Sequence, residues 1–114
     1  MITINDFKRV EIRAGKVLSA ESIEDSEKLL KLSVDFGEPN PRQVLSGIAK
    51  YISPADLIGV TCAFVTNLEP RELMGLKSEA MILAISGNQT DENSGEVFSL
   101  LKIDPSIPAG SLVK

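Results

Sequence analysis

The side chains best suited to binding chemistry fall in one stretch, NLEPRELMGLKSEAM at residues 67–81. It holds two cations, Arg71 and Lys77, and two neutral hydrogen-bonding side chains, Asn67 and Ser78, with the thioether of Met81 at its end. Pro70 fixes one backbone angle and Gly75 permits another. A connection that only reversed the chain would need about two to five residues. Polar side chains on a loop shaped by Pro and Gly suit ligand binding. The plainer alternative is a solvated loop whose charges are incidental.

Catalytic groups are scarce. The chain has no histidine and one cysteine, Cys62. It therefore lacks a Ser-His-Asp or Cys-His arrangement, an imidazole metal ligand and a thiolate zinc set. No glycine pattern matches a Walker loop or a dinucleotide fingerprint. No lysine and carboxylate pair up at a nameable site. These features point to binding rather than catalysis, with no cofactor and no metal. Cys62 lies in an apolar run, which predicts a buried, inert thiol.

The elements that must position the loop are short. The 114 residues, 43% hydrophobic and 25% charged, suit one soluble domain over residues 1–114. No apolar run approaches the ~18 residues of a membrane span, and MITINDFKRVEIR carries no signal-type apolar core, so a cytoplasmic location is expected. The net charge of −4 argues against nucleic acid. Its distribution qualifies that argument. Glu21, Glu24, Asp25 and Glu27 form one acidic cluster, and Asp91, Glu92 and Glu96 another. Setting those seven aside leaves nine acids against twelve basic residues. A basic face is thus available, and a phosphate feels charge mainly within ~8–10 Å.

Residues 3–10 predict a short helical turn with Phe7 as its buried anchor. Residues 9–20 alternate as a long strand, with Val10, Ile12, Ala14, Leu18 and Ala20 on one face; the break after Gly15 predicts a bulge or bend there. Further strands are expected over residues 29–36, 42–48, 60–66, 79–86 and 97–103. Gly47 is expected near a strand end, at a close backbone approach. Ser53, Pro54 and Gly59 frame a second short helix. Residues 87–95, GNQTDENSG, read as a flexible polar loop. A bent first strand and a helix between the third and fourth strands suggest an all-β fold. The expected architecture is an OB-fold Greek-key barrel with short helices and a C-terminal extension. Phe7, Phe36, Phe64 and Phe98 are expected in the core, leaving Tyr51 as the one exposed ring, too few for a stacking platform.

Five segments occur in order: DFKRVEIRAGKV, EKLLKLSVDFGE, PRQVLSGIAKYISPADLIG, NLEPRELMGLKSEAM and PAGSLVK. Together they resemble the tRNA-binding domain family, which includes the C-terminal domain or β subunit of methionyl-tRNA synthetase, free-standing homodimeric tRNA-binding proteins and a secretion-chaperone-like branch. The resemblance runs from about residue 6 to residue 114. It implies an OB-fold that binds tRNA without reading sequence, as a homodimer, alone or with methionyl-tRNA synthetase. It implies an RNA-binding role for Ser78 and Met81, for Asn67 and Arg71 of the Asn-Leu-x-Pro-Arg motif, and for basic positions matching Lys31 and Arg42. Glu72, Glu79 and Ala80 depart from the family pattern.

On that reading Lys31, Arg42, Arg71 and Lys77 contact phosphates, giving a log–log salt slope of about −3 to −4. Asn67 and Ser78 bond a 2′-OH, and Met81 packs against a base or ribose. Each residue has a plainer alternative. Asn67 and Ser78 would close the loop through backbone bonds, and Met81 would join the core. Arg71 would pair with Glu69 or Glu72. Lys31 and Arg42 would be solvated. A different class of function is an assembly module whose Phe7, Ile107 and Pro108 form a dimer interface; another is a secretion-chaperone-like protein binder.

Overall fold

The structure, a computed structural model, describes residues 1–88 and 95–114. The expected acidic residues Asp91 and Glu92, and most of the polar loop containing them, lie outside the described residues.

The fold is an all-β barrel built around a first strand that serves two neighbours. Strand β1 (Ile12–Ser22) pairs antiparallel with β4 (Thr61–Val65) through its first half, and with β2 (Leu30–Asp35) through its second. The registers overlap at Lys16, which faces Thr61 on one side and Asp35 on the other. Strand β3 (Arg42–Ser46) continues from β2. Three more short strands follow β4: β5 (Arg71–Leu73), β6 (Leu76–Ser78) and β7 (Met81–Ile82). The main sheet runs β3-β2-β1-β4-β7. It closes where Glu79 N donates to Gln43 O at 2.8 Å, joining the chain before β7 to β3.

Strict alternation on β2 sends Leu30, Leu32 and Val34 inward, where they meet Val17, Val44, Phe64 and Ile82. Helix α2 (Pro54–Leu57), with Pro54 opening its first turn, adds fully buried Leu57 to the same core. Cys62 is buried there, and desolvation pushes its thiol up to about 11, as an inert core thiol requires.

Four expectations need correction. The register shift of β1 falls between Val17 and Ser19 rather than at Gly15, and it turns Leu18 outward. Gly15 instead makes room: a Cβ there would lie 2.6–2.8 Å from Phe36, Val34 and Phe64. Phe36 and Phe64 meet edge to face at that spot, with centroids 5.1 Å apart. Gly47 follows β3 but has open space around it, so no close approach requires it. Helix α1 (Ile4–Phe7) is closed by a capping box between Thr3 and Asp6, yet buries no residue, and Phe7 is 42% exposed. The barrel interior is already filled from the strands, so α1 lies outside it.

The fourth correction concerns the strand expected over residues 79–86. Strand β7 pairs with β4, and the chain then leaves the barrel as a hairpin of β8 (Ala84–Asn88) and β9 (Glu96–Leu100). It returns to β4 afterwards, with Ala63 N donating to Leu101 O and Ile103 N to Thr61 O. Tyr51 stacks on Phe98 of this arm at 4.8 Å and donates its hydroxyl to Glu96 at 2.6 Å, so its ring is not a free platform. The C-terminal tail lies along the first half of β1, where Ala14 N donates to Ser111 O and Val113 N to Ile12 O.

Gly15→Ala should overpack the aromatic contact and cost about 1–3 kcal/mol. Urea denaturation checks this; an unchanged midpoint would contradict the packing account.

Candidate nucleic-acid interface

The 67–78 connection is a framed hairpin, not an open loop. β5 and β6 pair in the register Arg71↔Ser78, Glu72↔Lys77 and Leu73↔Leu76. Between them Met74 and Gly75 both take positive φ, 52° and 76°, as a two-residue turn of the primed type requires. The register divides the side chains. Arg71 shares its face with Leu73, Leu76 and Ser78, whereas Lys77 shares the other with Glu72. The two cations predicted to act together thus lie on opposite faces of one hairpin.

The ends of the hairpin are held from three directions. Asn67 accepts from Glu11 N at 2.8 Å and donates to Arg9 O at 2.7 Å, so its amide staples the entry to the start of β1. Ser78 is buried; its hydroxyl accepts from Leu45 N at 3.0 Å and donates to Ala80 O at 3.1 Å. Arg42 reaches both ends, donating from Nη1 to Thr66 O at 2.7 Å and Glu79 O at 3.3 Å. Its remaining donors form a two-point pair with Glu38, both at 2.8 Å, and its guanidinium lies 5.3 Å over the Phe36 ring. Arg42 pairs in register with Val34, an inward position, which is why it closes the barrel end instead of joining Lys31 outside. Lys31 faces outward and is paired with Glu21 at 2.7 Å.

Sequence reading therefore grouped residues that the fold separates. Asn67, Ser78 and Arg42 are placed where they position the hairpin. Arg71 and Lys77 are exposed and form no ion pair with another described residue, and neither Glu69 nor Glu72 takes Arg71. Met81 is 49% exposed rather than core. It lines a cleft of about 130 Å³ with Leu45, Leu68, Leu73 and Arg71, beneath the hairpin. Leu45, Leu68 and Leu73 were not singled out from the sequence; Leu45 could have been, as an apolar residue whose strand parity faces outward beside Lys31. A separate groove of about 520 Å³ lies between α1 and the tail, lined by Ile4, Phe7, Val10, Leu112 and Val113. Ile107 and Pro108 are exposed but do not line it.

Two carboxylates support this frame. The Arg42 guanidinium holds Glu38 below its usual value of 4.5, and hydrogen bonds from Arg13 and then Thr66 do the same for Glu11. A lowered folded-state pKa stabilises the fold above the ordinary carboxylate value, and the gain is lost as pH falls through the folded value. Both pairs are partly solvated, so each contributes less than about 1 kcal/mol. Urea midpoints should fall from about pH 5 downward, and Glu38→Gln should flatten that acid limb. An equally steep limb in the variant would contradict the assignment.

Residues 12–112 match the family described as "Putative tRNA binding domain". Methionine–tRNA ligase of Halalkalibacterium halodurans is 47% identical over 113 residues, 99% of this chain and 16% of that protein. Methionine–tRNA ligase 1 of Bacillus anthracis is 49% identical over 113 residues, with the same 99% and 16% coverage. The chain thus spans about 16% of the length of these curated relatives. Among solved structures, the MetRS related protein from Pyrococcus horikoshii is 32% identical with a TM-score of 0.85, covering 100% of this chain and 98% of that one. The chaperone CsaA of Bacillus anthracis str. Ames is 30% identical with a TM-score of 0.79, covering 100% and 99%. The barrel is of the OB type, and the chain belongs to the tRNA-binding domain family, related to the domain that methionine–tRNA ligases carry.

Proposed function

We propose that this chain captures tRNA through its β5–β6 hairpin, without reading sequence, as an accessory to methionyl-tRNA synthesis in the cytoplasm. Family membership supports the partner, and one observation supports the place: Arg71 stands exposed and unpaired among the described residues, and the paired positions on its hairpin face hold no acid, although Glu69 lines the cleft beside it. Lys77 on the reverse face lets a bent phosphate backbone straddle the hairpin, although Glu72 beside it offsets part of its charge. Phosphate contacts of this kind position an RNA but carry no sequence information. The domain would act by raising the local tRNA concentration for a tethered or associated ligase.

Of the four cations the sequence suggested, Arg71 and Lys77 are the two without an ion pair among the described residues, because Glu21 holds Lys31 and Glu38 holds Arg42. The expected salt slope is then about −1.4 to −1.8 per chain. The apolar groove between α1 and the tail supports a homodimer across Phe7, Leu112 and Val113. A dimer that places both hairpins on one RNA would double the slope to about −3.

Filter binding of bulk tRNA across a salt series tests the reading. Arg71→Ala should weaken binding and flatten the slope by about one for each phosphate it no longer neutralises. No binding at low salt, or binding indifferent to Arg71→Ala and Lys77→Ala, would sink it. Sedimentation equilibrium on the same samples should find a dimer, and a monomer for Phe7→Glu. A monomeric unsubstituted chain would reject the dimer alone.

A further inference from the structure

Arg9 is a basic residue that the fold brings to the hairpin from the far end of the chain. It is exposed, and its guanidinium forms no ion pair with another described residue. Its backbone, by contrast, is held on both sides. Arg9 N donates to Asp6 O at 3.2 Å after α1, and Arg9 O accepts from Asn67 Nδ2 at 2.7 Å. The second bond fixes Arg9 beside the entry of the β5–β6 hairpin, although 58 positions separate it from Asn67 in sequence. Asn67 precedes Arg71 by four residues, so the chain between them spans at most about 14 Å. A nucleic-acid strand carries one phosphate per ~3.4 Å of helix axis, so a few nucleotides bridge that span. The acids nearest to Arg9 in sequence are engaged elsewhere. Glu11 accepts from Arg13 at 2.6 Å and from the Thr66 hydroxyl at 2.8 Å. Asp6 accepts from Thr3 N at 3.0 Å in the capping box.

We infer that Arg9, held at the hairpin entry by the Asn67 amide, is a third phosphate contact for tRNA, a reading that rests on the proposed capture of tRNA at the hairpin and extends it. Asn67 then serves the RNA at one remove. Both of its hydrogen bonds go to backbone groups, one of Glu11 and one of Arg9. They hold the Arg9 backbone in place beforehand, so none of it has to be ordered when the side chain meets a phosphate. Glu69 lies between Asn67 and Arg71 in sequence and lines the cleft beside Arg71. A cation at the hairpin entry offsets that charge toward an approaching phosphate. Location separates Arg9 from other cations without an ion pair among the described residues. Lys8 and Lys114 line the groove between α1 and the tail, where the second copy is proposed to lie, and Arg9 does not. Lys50 is exposed in the connection between β3 and α2.

The test is filter binding of bulk tRNA by the full chain, with the logarithm of the association constant followed against the logarithm of salt concentration. Three phosphate contacts give a slope of about −2.1 to −2.7 per chain, against about −1.4 to −1.8 for two. Arg9→Ala should weaken binding several-fold at low salt and flatten the slope by about 0.7–0.9. Arg9→Lys should keep the slope, because the slope counts neutralised phosphates and lysine carries the same charge. Lys50→Ala removes one positive charge away from the hairpin and should leave the slope as it is. A slope that Arg9→Ala leaves unchanged, that Arg9→Lys also flattens, or that Lys50→Ala flattens equally would overturn the contact. A change of oligomeric state in Arg9→Ala, read by sedimentation equilibrium, would overturn it in favour of an interface role. Binding that falls with Arg71→Ala and not with Arg9→Ala rejects the third contact alone. No binding at low salt, or binding indifferent to Arg9→Ala, Arg71→Ala and Lys77→Ala, rejects the proposed function and the third contact with it.

Discussion

Arg42 gathers into one guanidinium the carbonyl of Thr66, the carbonyl of Glu79, both carboxylate oxygens of Glu38 and the face of Phe36. Thr66 and Glu79 are the two ends of the connection that carries the hairpin. Tying both to β3 makes the hairpin a fixed projection of the barrel rather than a tethered loop. Arginine suits this place because its planar fork can bond a carboxylate at two points and still have donors left. Lysine offers one point charge on a flexible stem. The same tie closes the barrel beside Glu79 N–Gln43 O, so hairpin placement and barrel closure share one clamp.

Around that clamp the polar side chains divide into two kinds. Asn67 and Ser78 spend their hydrogen bonds on backbone groups of Arg9, Glu11, Leu45 and Ala80. A buried hydroxyl that satisfies a strand N–H is costly to lose, on the order of 1–3 kcal/mol, because the donor is left without water. The motif that the family resemblance singles out for RNA thus contains two side chains whose hydrogen bonds are made within the fold. Arg71 and Lys77 are the opposite case. They are exposed, unpaired among the described residues, and carried on a frame that already has its bonds, which leaves their charge available to a ligand.

How much of this was legible follows from how each signal is encoded. β2 alternates without interruption, so its period of two gives both the strand and its inner face. α1 and α2 follow from Thr3, Asp6 and Pro54. The hairpin was hidden because its turn places Met74 at positive φ, where Asn or Gly would have signalled a primed turn. The split of residues 79–86 was hidden because the apolar run continues through Leu83 and Ile85 although the pairing partner changes from β4 to β9. Ion pairing was the least visible. Lys31 meets Glu21 only across paired strands, and the inward parity of Arg42 depends on its register with Val34. Composition could show that basic residues were available, not which of them other parts of the chain had already taken.

The division between a framing arginine and an exposed, unpaired one can be measured directly by comparing Arg42→Lys with Arg71→Lys in urea. Both variants keep the net charge. Arg42→Lys should lose on the order of 2 kcal/mol, since a lysine cannot make the two-point bond and still reach both loop carbonyls. Arg71→Lys should stay within about 0.5 kcal/mol of the unsubstituted chain, as a substitution at an exposed and unpaired site does. Equal stability of the two variants would contradict the claim that Arg42 holds the hairpin in place.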